Sequence, residues 1–194
     1  VYKRQHMYLK NGKAVTGFDG KELLEDGDVM SIAQHYSNNG ADELLIFDLS
    51  DDDADHEQSL NLIRQISRVI DIPMSGGGHI KNLEDVKKLL YAGCQQVFLN
   101  YAKAANIELT EEVSKRFGKE KIAICTDSFA QLQANKARVN EYTSRVILLC
   151  DEVDVRTTAR LVEVPVLPVS TRADRHGLLK LLMLDNICGV CGDT

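Results

Sequence analysis

Gly40-Ala41-Asp42-Glu43-Leu44-Leu45-Ile46-Phe47-Asp48-Leu49-Ser50 carries an apolar run between a glycine and a polar end. Such a run, with no apolar–polar alternation, suits a strand buried on both faces of a parallel sheet. A helical pattern follows over 59–70, where Leu60, Ile63, Ile66, Val69 and Ile70 share one face. Then come the run Ile72-Pro73-Met74-Ser75, three glycines at 76–78, and a second helical pattern over 82–91. Asn82 reads as its N-cap, Glu84 and Asp85 suit the positive helix end, and Gly93 stops it. Further apolar runs lie at 96–99, 121–125, 145–149 and 164–167, and segments 5–9 and 187–191 bring the expected strands to eight. Repeated strand–helix units predict an α/β fold, a compact (β/α)8 TIM barrel over 1–194 whose final outer helix is missing.

The two halves also look alike. Aligning Pro73 with Pro165 places Lys88-Leu89-Leu90 on Lys180-Leu181-Leu182 without a gap, and Leu44 to Asp48 falls on Ile147 to Asp151. An internal half-barrel duplication accounts for both matches and counts against the structural rival, an open doubly wound sheet.

The chain has 194 residues, enough for one well-buried domain, with 44% apolar and 27% charged residues. A net charge of -6 argues against a grip on nucleic acid, which needs clustered Lys and Arg. There is no apolar stretch of membrane-spanning length and no signal-peptide pattern, so the expectation is a soluble cytoplasmic protein with no membrane partner. The five cysteines, Cys94, Cys125, Cys150, Cys188 and Cys191, sit in apolar contexts that favour reduced core thiols. A start at Val1 and an abrupt end after Thr194 read as a fragment of a longer chain.

Four blocks in order carry a specific resemblance: 9–17, 40–50, 72–85 and 92–100. They resemble the histidine-biosynthesis barrel family that includes the imidazole glycerol phosphate synthase cyclase subunit and the phosphoribosylformimino-aminoimidazole carboxamide ribotide isomerase. The match is strong over 7–127 and weak beyond. The chain is also similar to a barrel-like domain that precedes a fused phosphoribosyl-AMP cyclohydrolase and phosphoribosyl-ATP pyrophosphohydrolase in some bacteria.

The resemblance implies two catalytic carboxylates, at the ends of strands one and five, acting as general acid and base on a ribotide with a phosphate at each end. Asp127 falls on the second position. Tyr8 stands on the first, and a phenol, with a reference pKa of about 10, is a poor base near neutrality. Thr16 replaces a lysine. The family's phosphate turns use glycines, whose bare backbone N–H groups approach the anion closely. Gly77 and Gly78 keep two of three such glycines and His79 takes the third place. Ser170, Thr171 and Arg172 form a turn with none, and Asp151-Glu152-Val153-Asp154 replaces an Asp-Gly-Thr signature. Asp48 and Asn100 match pocket-lining positions, each also readable as a strand-end residue that satisfies its own turn.

Three other features read as structural. Asp51-Asp52-Asp53-Ala54-Asp55 lacks the spacing of a calcium loop and suits a solvated lead into a helix. Cys188-Gly189-Val190-Cys191 has half the ligands of a zinc site and lies on a strand, so packing is its expected role. His35, His56, His79 and His176 are scattered, with only His79 at a candidate site. No metal or organic cofactor is called for. The expected function is that of a degenerate histidine-pathway barrel, a phosphate-ester-binding or interaction module working with other domains of the pathway. The alternatives are an active cyclase or isomerase and a purely structural oligomerisation domain.

Overall fold

The computed structural model describes residues 3–24, 28–149, 154–170 and 175–192. Its strands are β1 (Lys3–Lys10), β2 (Lys13–Val15), β3 (Glu43–Asp48), β4 (Met74–Gly77), β5 (Gln96–Asn100), β6 (Ile122–Thr126), β7 (Arg145–Leu149), β8 (Val166–Ser170) and β9 (Val190–Gly192). The helices are α1 (Val29–Asn38), α2 (Asp53–Val69), α3 (Leu83–Tyr91), α4 (Ala104–Phe117), α5 (Phe129–Ala134), α6 (Lys136–Tyr142), α7 (Val155–Ala159) and α8 (Arg175–Leu181). Among the first strands the hydrogen-bonded order is β2-β1-β3-β4, with β2 an antiparallel arm on β1 and the rest parallel, and among the later ones it is β6-β7-β8-β9, all parallel. This is the α/β TIM-barrel fold that the strand–helix alternation predicts. No helix among the described residues is long and apolar enough to cross a membrane.

The chain divides into two compact units, one of Arg4–Val97 and the other of Phe98–Thr194 with Val1–Lys3. In the first, every residue of β3 is buried, as its unbroken apolar run requires. Leu60, Ile63 and Ile66 of α2 and Leu89 of α3 are wholly buried, and each such side chain contributes about 1.5–3 kcal/mol. Val69, expected on that face, is 42% exposed because it ends the helix. Where the strands begin, Glu43 is buried and accepts from Arg4 Nε and Ser75 Oγ, each at 2.6 Å. Asn82 caps α3 by accepting from Glu84 N and Asp85 N, while the Asp85 carboxylate accepts in return from Asn82 N.

In the second unit, β6, β7 and β8 pair in parallel and their side chains are buried almost throughout. Asn186, at φ 66, donates its amide to the carbonyls of Ala159, Val162 and Val164 at 3.1, 3.0 and 2.8 Å. Asparagine suits this left-handed backbone, and its side chain gathers three carbonyls before β8. Asn186→Ala is expected to destabilise the protein by about 1–3 kcal/mol in urea unfolding, because those carbonyls lose their donor.

Several boundaries differ from the sequence reading. The strand expected at 72–75 is Met74–Gly77, which takes Gly76 and Gly77 into the sheet. The helix expected from Ser59 begins at Asp53. The last strand is only Val190–Gly192, with Ile187 making an isolated bridge to Val166. Cys191 therefore lies in β9 and Cys188 ahead of it, rather than both on one strand.

The repeat alignment is correct in one block and off by one in the other. Met74, after Pro73, lies opposite Leu44, and Val166, after Pro165, lies opposite Val146. The two proline carbonyls accept from Leu44 N and Val146 N at 3.0 and 2.9 Å. Helices α3 and α8 then begin at the matching Leu83 and Arg175. Leu44 thus corresponds to Val146, not Ile147, and Asp48 falls on Cys150 rather than Asp151. A uniformly apolar run has no feature to fix its register, so a one-residue slip goes unnoticed in sequence.

Candidate functional site

The end of β3 and the turn after β4 are knitted together within the first unit. Asp48, the last residue of β3, is 4% exposed. One of its carboxylate oxygens accepts from Ser50 N at 3.0 Å and from Ser50 Oγ. The other meets His56 Nδ1 at 2.5 Å, so that nitrogen is the donor. His56 is buried and stands in the first turn of α2, in phase with Ser59, Leu60 and Ile63 on the buried face. Its Nε2 is buried with no hydrogen-bond partner.

His79 stacks on His56, with ring centroids 4.7 Å apart and planes 27° from parallel. The reading of scattered histidines is therefore corrected for this pair. A helix read as starting at Ser59 leaves His56 outside it, whereas α2 begins at Asp53 and carries His56 on its buried stripe. His79 has φ 53, the left-handed backbone that a third glycine would adopt freely. Its Nδ1 lies 3.2 Å from Ser50 O and its Nε2 2.8 Å from Asp53 Oδ1, the same oxygen that accepts from Lys81 Nζ at 2.6 Å. Hydrogen bonds from His79 and Lys81 hold the Asp53 carboxyl down at about 2.

Gly78, at φ 109, packs against the Asp48 backbone so closely that an added Cβ would sit 2.0 Å from Asp48 O. Gly76 lies against Cys94, whose Sγ would be 2.8 Å from a Cβ there. Gly77, between them, ends β4 and is buried. Close packing thus explains the glycines on either side of it without a ligand.

The acidic run resolves into separate duties. Asp51 pairs with Lys10, Asp52 caps α2 by accepting from Asp55 N, and Asp53 takes His79 and Lys81. No group of three or more His, Cys, Asp or Glu side chains among the described residues is arranged to hold a metal ion.

Tyr8 is 3% exposed and belongs to an aromatic cluster. Its ring centroid lies 5.2 Å from His6, 4.8 Å from Phe18 and 5.2 Å from Phe47. T-shaped and tilted pairs at these spacings are packing contacts. Phe18 and Phe47 come from other segments, so no spacing in the sequence announces the cluster.

Asp127, Asn100 and Ser170 belong to the second unit. Asp127 follows β6 and is exposed. Beside it, Thr126 Oγ1 accepts from Ser128 N at 3.1 Å, and Ser128 caps α5. Burial, with the Asp127 charge adding, pushes the Cys125 thiol up to about 12, and burial alone does the same to Cys94. Both are inert core thiols. Asn100 Oδ1 accepts from Ala102 N at 2.9 Å, closing its own turn at the end of β5. Ser170 is buried at the end of β8, opposite Gly192. Thr171, Arg172 and 150–153 lie outside the described residues.

The sequence matches the profile of the histidine biosynthesis protein family over residues 7–185. Among curated relatives, it is 34% identical to imidazole glycerol phosphate synthase subunit HisF of Flavobacterium psychrophilum over 62% of this chain and 48% of that protein. It is 32% identical to the HisF of Haemophilus influenzae over 77% of this chain and 56% of that protein. The chain spans about half the length of the curated relatives it matches. A barrel of alternating strands and helices, with a family match over nearly its whole length, makes this chain a member of the histidine biosynthesis protein family.

Proposed function

We propose that this chain is a non-catalytic histidine-pathway barrel, a cytoplasmic module that docks other domains of the pathway and has lost the family's cyclase or isomerase reaction. The observation that carries this reading is Tyr8. Where the family resemblance calls for a carboxylate, a phenol is packed among His6, Phe18 and Phe47. The residues that the resemblance would give to a ligand are engaged within the fold: Asp48 with His56 and Ser50, His79 with Ser50 and Asp53, Asn100 with its own turn. Its domain partners in this reading are a phosphoribosyl-AMP cyclohydrolase and a phosphoribosyl-ATP pyrophosphohydrolase on the same parent protein.

The test is calorimetric titration with the doubly phosphorylated ribotide that the cyclase consumes, followed by a turnover assay. Neither binding at millimolar ligand nor turnover is expected. Micromolar binding without turnover would replace the docking role by phosphate-ester binding. The rival is a working enzyme, favoured by Asp127, which is exposed at the end of β6. Turnover by the natural chain that disappears in Asp127→Asn would establish it and overturn our reading.

A further inference from the structure

Both ring nitrogens of His79 face groups that only accept: the Ser50 carbonyl at 3.2 Å and an Asp53 carboxylate oxygen at 2.8 Å. A neutral imidazole has one N–H and can satisfy only one of them; both bonds form together only in the imidazolium. We infer that His79 is a proton-dependent clamp, which as a cation ties the turn after β4 to the loop after β3 and on losing its proton releases one of the two. The inference does not depend on the docking role, since it concerns the fold of one loop pair.

The surroundings fit a buried cation held in place. The His79 side chain is 9% exposed and lies on the ring of His56. His56 donates from Nδ1 to Asp48 and has a buried Nε2 with no partner, the arrangement of a neutral ring. A proton on that nitrogen would bury an unpaired N–H and set a second cation beside His79. The clamp thus closes with His79 charged and His56 neutral. The charged groups on the elements that meet His79 are Lys81, which shares the Asp53 oxygen, Asp48, held by the stacked His56 ring, and Asp51, Asp52 and Asp55 of the same loop and helix start as Asp53, with Lys10 of β1 on Asp51. Asp53 stays ionised throughout the range in which histidines titrate, because His79 and Lys81 hold its proton affinity down. The glycine that would fit this backbone without strain would lack both bonds.

The sign follows from proton linkage. The second hydrogen bond exists only while the ring carries both protons, so the clamp contributes at low pH and its contribution is lost as pH rises. The experiment compares melting temperatures of the natural chain, His79→Gln and Asp53→Asn across the histidine range. At about pH 6 the natural chain is expected to melt about 3 °C above His79→Gln, and the lead should fall below about 1 °C at about pH 8.5. Asp53→Asn should show the same flattening. A lead that is constant with pH, or an Asp53→Asn variant with the natural pH dependence, would sink the inference. If a variant does not fold, ring ¹⁵N resonances of the natural chain decide. Two protonated nitrogens on His79 at about pH 7.5, where an ordinary imidazole with a reference pKa of about 6.5 has lost its second proton, support the clamp, and a bare one overturns it.

Discussion

Gly78→Ala is expected to cost at least about 3 kcal/mol of stability, among the largest losses from any single methyl group in this chain. Two effects add. The backbone at φ 109 lies where side chains are strained, and the new Cβ would meet Asp48 O at 2.0 Å and Asp48 C at 2.9 Å. Those atoms belong to the backbone at the end of β3, so no rotamer change relieves the contact; the strand end or the turn must move. Gly17 supplies the control. It has φ 58, and a Cβ there meets nothing within 4 Å. Gly17→Ala should therefore cost only the conformational penalty of about 1–2 kcal/mol. Chemical denaturation of the two variants separates the terms. Equal losses would mean that the approach of the turn to Asp48 is not a close contact.

The same comparison shows what sequence could and could not convey. The parallel fold was legible because β3 and its fellows read as unbroken apolar runs, which only a sheet covered on both faces accommodates. The α2 face was legible from Leu60 onward, since its buried residues keep helical spacing. His56 was not: a histidine behind three aspartates looks like solvated loop until the helix is known to begin at Asp53. His79 could be recognised as a departure from glycine, but not as the residue that makes the departure tolerable through two hydrogen bonds and a ring stack. Tyr8 was legible as a missing carboxylate, whereas its packed surroundings depend on Phe18 and Phe47, which come from other segments of the chain. Long-range side-chain partnerships leave no periodicity, and the His79 and Tyr8 contacts escaped for that reason, whereas His56 escaped through a helix boundary.

Asp48 is where the structure and the family resemblance make opposite predictions. A residue that only lines a ligand pocket can be removed with little effect on stability. A buried carboxylate that accepts from His56 Nδ1 and from the Ser50 backbone and hydroxyl cannot. Asp48→Ala is expected to destabilise the protein by about 2–4 kcal/mol, because it leaves His56 Nδ1–H buried and unpaired, takes the acceptor from Ser50 N, and opens a void at the edge of the His56 ring. Asp48→Asn is the sharper variant, since it preserves size. The aspartate presents two accepting oxygens to donors on both sides, whereas the amide has one oxygen, so in either orientation its NH₂ points at a donor. Turning the NH₂ toward His56 would require the other tautomer, which places a proton on the partnerless Nε2. A loss of about 1–3 kcal/mol is therefore expected for Asp48→Asn, read by denaturant unfolding. Unchanged stability in both variants would return Asp48 to the ligand pocket and weaken the case that this loop pair has been turned from binding to structure.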